Sequence, residues 1–324
     1  MLRRTILLLL FSTTTFLAHT QTINNLQTNE QVQSFIKTLD SSYSGVSIIR
    51  PEPILEYYEL VDSLTRFGAS PWEKADFDNN GLTDLLFNGF NTDTLNGYYC
   101  SRLSIAILDM GNGSFRVKPL NLYNYQDYFA ARTITINNKA YINTCRFAYQ
   151  DNEAHTAYEA KYEHDTLTYT FDEFIELSKP GNYAIEGIRY CSKTGFRLEQ
   201  GYRIDIYGDS AILETGPVPL FGSDSMEPGH IAKARIDTAT WSRIKAILQY
   251  MDCSHLKEFY RAPWTHGIPA SLRIKYDGGK IKKISDYGLK GTYGLKVMHN
   301  LLADLKKTLH WKVFKSTDFF SCDD

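Results

Sequence analysis

The sequence predicts an α+β protein. The N-terminal half reads as two helices plus an antiparallel β-meander, and the C-terminal half as an antiparallel sheet with two helices packed on one face. Three observations carry this. Aromatic residues make up 14% of the 324 residues, with 22 Tyr and 18 Phe, a composition that favours strands. Apolar residues recur at helical spacing in four separate stretches. Short alternating runs, closed by Gly, Asn and Asp turns, lie between them. A hydrophobic fraction of 43% and a charged fraction of 22% exclude bulk disorder, and the length suits two domains. The net charge of -2 argues against a nucleic-acid binder.

Residues 1–20 read as a signal peptide. Arg3 and Arg4 precede an apolar run from Ile6 to Phe11, and Ala18-His19-Thr20 forms a small-x-small cleavage pattern. The run is too short to span a bilayer, and no later segment reads as transmembrane. The expected location is therefore exported, periplasmic or extracellular. In the N-terminal domain, 21–178, Thr28 caps a helix carrying Val32, Phe35, Ile36 and Leu39, with Gln31 completing a capping box. Pro51 to Phe67 gives a second helical stripe. Strands follow from Leu85, with turns at Asp109–Gly113, at Asn137-Asn138 and near His164-Asp165. Ser178 to Asn182 breaks the pattern and marks the domain boundary. In the C-terminal domain, 184–315, Asp237 or Thr238 caps a helix around Trp241. Asp277-Gly278-Gly279-Lys280 is a hairpin turn, and Tyr293 to Leu309 is an amphipathic helix. Residues 316–324 read as a tail.

Five cysteines, Cys100, Cys145, Cys191, Cys253 and Cys322, show no CxxC spacing. An exported chain permits disulfides, and the pairing is open.

Two resemblances add to this reading. The stretch from about Ile185 to Phe314 resembles a bacterial domain-of-unknown-function family, numbered 6438. The strand-turn-strand Tyr202–Glu214, the helix around Trp241, the run Ala270–Lys280 and the Ser285–Gly288 segment carry it. That family usually shows a C-F-G-x-C-P segment before its first long strand. Here Thr194–Gly201 stands there with only Cys191 nearby, so no role of a Cys pair transfers. The resemblance implies a fold typical of exported proteins of the Bacteroidetes type, and no activity. Separately, Asp76–Phe87 resembles a single FG-GAP/VCBS-type calcium loop. Asp76, Asp78 and Asn80 stand at positions 1, 3 and 5, with Gly81 at the bend. The Leu82 carbonyl at position 7 and the Asp84 carboxylate at position 9 complete the set. Position 12 is Phe87, so the loop is not an EF-hand. A structural Ca2+ is the expected cofactor, fixing the junction between the second helix and the first strand. An Asx-rich turn without metal is the competing reading.

No nucleophile elbow, H-E-x-x-H, P-loop or dinucleotide fingerprint occurs, and no catalytic residue is named. Two long loops, holding Phe221 and Trp264 with His266, are the candidate ligand-binding residues, against packing as their ordinary use. From Ala270 to Lys315 the chain carries 11 Lys/Arg against 3 Asp/Glu. A solvated strand and helix face is the preferred account of that excess. The functional account is a glycan or anionic envelope polymer as partner. The function expected is an exported binding or structural protein; a secreted hydrolase acting on glycan or peptide, with a site between the domains, is the alternative.

Overall fold

The structure is a computed structural model that describes residues 22–48, 67–92, 100–122, 129–151, 158–193, 201–219, 226–261, 267–289, 291–317 and 320–322. Helix α1 (Asn29–Leu39) starts at a capping box: Gln31 N–H donates to Thr28 Oγ1, and the Gln31 side chain accepts from the Thr28 backbone. Its buried stripe, Val32, Phe35 and Ile36, packs on a five-stranded antiparallel sheet. That sheet holds β1 (Val46–Ser47), β2 (Trp72–Ala75), β3 (Asp84–Thr92), β4 (Cys100–Asp109) and β5 (Phe115–Pro119). Both β1 and β2 pair with one edge of β3, at opposite ends, and β4 and β5 follow on the other edge.

A second antiparallel sheet holds β6 (Phe129–Ile136), β7 (Lys139–Asp151), β8 (Tyr158–Thr170) and β9 (Glu173–Glu176) in sequence order. It packs on the far side of the first. Leu85, Phe87, Ile105 and Ile107 face α1, while Leu86, Ala106 and Leu108 face Ala131, Ile142 and Leu167. All seven of those β3 and β4 residues are 0% exposed, which a sheet buried on both faces requires. Asn88 joins the sheets in hydrogen bonds, donating to Ala131 O at 2.7 Å and accepting from Ala131 N at 3.0 Å.

This corrects the expected α+β layout. The chain is mostly β, with 19 strands and three α-helices among the described residues. The N-terminal half is not two helices ahead of one β-meander. It is a helix on a sheet on a second sheet, because continuous apolar runs at Leu85–Phe87 and Ile105–Leu108 bury both faces of the central sheet. The expected second helix, Pro51 to Phe67, lies outside the described residues except for Phe67. The expected turn near His164-Asp165 is also corrected. Strand β8 runs straight through it and turns at Phe171-Asp172, both with positive φ.

The C-terminal half is built on an eight-stranded sheet, in the order β16-β18-β17-β10-β11-β12-β15-β19. Its strands are β10 (Ile185–Lys193), β11 (Gly201–Tyr207), β12 (Ser210–Thr215), β15 (Gly229–Arg235), β16 (Phe259–Arg261), β17 (Pro269–Tyr276), β18 (Lys280–Tyr287) and β19 (Lys312–Thr317). A short ribbon, β13 (Val218–Pro219) with β14 (Met226–Glu227), stands apart. Helices α2 (Thr238–Tyr250) and α3 (Tyr293–Thr308) cover one face. Asp237 caps α2 through Thr240 N–H, and Thr292 caps α3 through Leu295 N–H. Past residue 315, Ser316 and Thr317 pair with β15, and Cys322 is bonded to Cys191 on β10.

The two halves meet at the start of α3. Tyr293 belongs to the core between the N-terminal sheets, and its hydroxyl donates to Leu120 O at 2.8 Å. Both Glu176 carboxylate oxygens accept backbone N–H groups there, from Tyr293 and from Gly294.

Candidate metal centre

The Asp76–Thr83 segment is the loop of the β2–β3 hairpin, not a helix-to-strand junction. Asn79 at φ 60° and Gly81 at φ 85° supply the left-handed positions that fold it tightly. Asp76 accepts Asn80 N–H at 3.1 Å on one oxygen and Gly81 N–H at 3.0 Å on the other. Asp78 accepts Asn80 N–H at 3.1 Å, and its second oxygen takes the Asn80 side-chain amide at 3.1 Å. These turns aim the loop carboxylates at one centre.

Asp84 approaches that centre from the first residue of β3. It is 0% exposed and accepts Phe77 N–H and Asp109 N–H, both at 2.8 Å, on separate oxygens. Burial pushes its carboxyl up to about 7, and the charges of Asp78 and Asp76 add to that rise against the two backbone bonds. Burial also holds Asp78 above the ordinary carboxylate range. Among the described residues, Asp76, Asp78 and Asp84 bring carboxylate oxygens within 4.8 Å of one another.

The other two expected ligands stand differently. Asn80 sits beside Asp78, but its amide is engaged: the oxygen accepts Leu82 N–H at 2.7 Å and the nitrogen donates to Asp109 O at 2.8 Å. Leu82 is 39% exposed at the loop rim. Sequence reading missed Asp109, whose backbone braces both Asn80 and Asp84. Its neighbourhood follows from the β3–β4 register, which pairs Leu85 with Ile107 and so brings the Asp109 turn beside the loop.

The donor set fits a hard cation. All three side chains offer oxygen, and three carboxylates this close repel one another without a positive charge. The remaining expected site residues, Phe221, Trp264 and His266, lie outside the described residues.

Residues 201–306 match the family model described as a domain of unknown function, DUF6438, which covers β11 through most of α3. No curated protein and no solved structure matches the chain. Among the described residues, no helix is long and apolar enough to cross a membrane.

Proposed function

We propose that the chain is an exported binding or structural protein of the cell envelope or exterior, with calcium held by the Asp76–Asp84 loop. The observation that carries the cation is the convergence of Asp76, Asp78 and the fully buried Asp84 within 4.8 Å. Export is supported by the basic-then-apolar N-terminus and by the Cys191–Cys322 bridge, a bond that persists in oxidising compartments. When bound, the ion supplies positive charge to the three carboxylates and oxygen coordination at the loop. Asp76, Asp78 and Asp84 hold it, and the Asn80 and Gly81 N–H groups fix Asp76 in place. The gain is a rigid β2–β3 hairpin at the edge of the central sheet.

Thermal melts of the mature chain with chelator and with millimolar calcium test this. For a dissociation constant in the 10⁻⁴–10⁻³ M range of extracellular modules, ~10 mM calcium stabilises by about 1.4–2.7 kcal/mol. For a single transition of a chain this long, that corresponds to a rise of about 2–4 °C. The rise should vanish in Asp78→Ala. A wild-type melt indifferent to calcium up to that concentration overturns the assignment.

A further inference from the structure

Helices α2 and α3 cover one face of the eight-stranded sheet, and register decides what the other face presents. Ile188, Tyr190, Leu272, Ile274 and Ile284 are buried under the helices, so the residues between them point the opposite way. One row of these crosses seven strands. Lys283 on β18 lies opposite Arg273 on β17, and Arg273 lies opposite Arg189 on β10. Asp205 and then Ile212 follow on β11 and β12. Lys233 on β15, opposite Lys312 on β19, ends the row. Five cations thus share a row with one carboxylate.

The acids on this face are already engaged at its middle. Asp205 binds Arg189 at 2.7 Å and Arg203 at 3.4 Å, and Glu214 binds Arg203 at 2.7 Å. Positive charge is left in excess on both flanks, where Lys283, Lys233 and Lys312 are exposed. Like charges directly opposite on neighbouring strands oppose pairing, and a solvated sheet face is served as well by Thr or by alternating signs. From β18 to β19 the row spans six strand intervals, about 29 Å. A small anion would reach one flank only. Two exposed aromatic residues stand beside the row, Tyr207 and Phe314, the latter with its ring 4.9 Å from the Lys233 ammonium, so nucleic acid is the competing anion that the test must separate.

We propose that this face binds an extended acidic polysaccharide, with sugar carboxylates or sulfates distributed along the row. The inference rests on the binding-protein reading above and gives its partner a chemistry. Its failure is separable from that of the calcium loop, which lies in the other half of the molecule. The Cys191–Cys322 bond and the Arg203 hydrogen bond to Ser321 O, at 3.4 Å, hold Ser321 and Cys322 on this face over β10 and β11, beside the row.

The test uses the mature chain with its disulfide intact. The probes are polygalacturonate, neutral dextran and an oligo-dT strand, each at low and at raised salt. Polygalacturonate should bind, dextran should not, and the affinity should fall as salt rises. Substituting Lys283, Lys233 and Lys312 together by Gln should weaken binding about tenfold, at roughly half a kcal/mol per exposed pair. Substituting the same three by Arg should preserve it. Gln at Lys37, Lys139 and Lys307, exposed and away from this face, should leave it unchanged. Absence of polygalacturonate binding, an equal loss in the two Gln variants, or tighter binding of oligo-dT overturns the proposal.

Discussion

Asp84, fully buried, and Glu176, partly buried, each accept two backbone N–H groups, yet their settings differ. Asp84 has two further carboxylates beside it, and burial together with their charges raises its carboxyl. Glu176 instead joins a helix N-terminus, where its two oxygens accept the N–H groups of Tyr293 and Gly294 that have no partner within the helix. Burial raises its carboxyl above the ordinary 4.5, and the backbone bonds oppose that rise. Folded Glu176 therefore keeps its proton at pH values where the unfolded chain has lost it. Its contribution is fully present below the ordinary carboxylate range and is lost as pH rises through the folded value. Urea midpoints should fall over that window in the wild type. In Glu176→Gln the fall should flatten, because no proton is exchanged there. The variant should also be less stable throughout, by about 1–3 kcal/mol, since one N–H then faces an amide nitrogen. A midpoint whose pH profile is unchanged in the variant would show that Glu176 does not titrate in this way.

At the scale of elements, turn chemistry gives the sharpest handle. The β6–β7 hairpin turns on Asn137 at φ 50° and Asn138 at φ 61°, the pair of left-handed positions that matches strand twist. Asn tolerates this conformation and Gly tolerates it better. Asn138→Gly should stabilise by a few tenths of a kcal/mol up to about 1, and Asn138→Val should destabilise by more. Equal urea midpoints for the two would mean that the turn does not limit the hairpin. This turn was legible in the sequence, as were the Thr28 capping box and the hairpin at Asp277. Each is a local rule written in adjacent residues. What was illegible depends on long-range contact. Leu85 to Phe87 and Ile105 to Leu108 read as apolar strands, but not as the middle layer of three. Periodicity does not say how many faces a partner covers. The His164-Asp165 pair looked like a turn because polar residues interrupt the run. In the sheet, His164 opposes Cys145 and Asp165 opposes Thr144 without a break in pairing. The loop carboxylates could be named from spacing. The burial of Asp84 and the brace from Asp109 required the β3–β4 register.

For the whole molecule, the question is whether a boundary in composition is also a boundary in folding. The segment from Leu177 to Ala184 carries no helix or strand, which is what a linker looks like. Yet the chain on either side is joined by more than that segment. Gly181 N–H donates to Gln249 O on α2 at 2.8 Å, and Arg243 reaches Phe171 O at 2.7 Å. Lys296 donates to Asn121 O at 3.2 Å, with burial pulling its amine below the ordinary lysine range. Tyr293 goes furthest. It is the first residue of a C-terminal helix, yet its ring is 4% exposed in the core of the N-terminal sheets. An aromatic ring inserted in this way couples the two cores, because either half exposes it on unfolding alone. The wild type should therefore melt in one calorimetric transition. Tyr293→Ala removes the ring and the hydroxyl bond to Leu120 O, at a cost of about 3–5 kcal/mol by analogy with other buried aromatics. The loss falls on the interface, so the variant should separate into two transitions, with the calcium-sensitive one belonging to the half that holds Asp84. A variant that still melts in one step, only at lower temperature, would place the coupling in the Glu176 and Lys296 contacts instead.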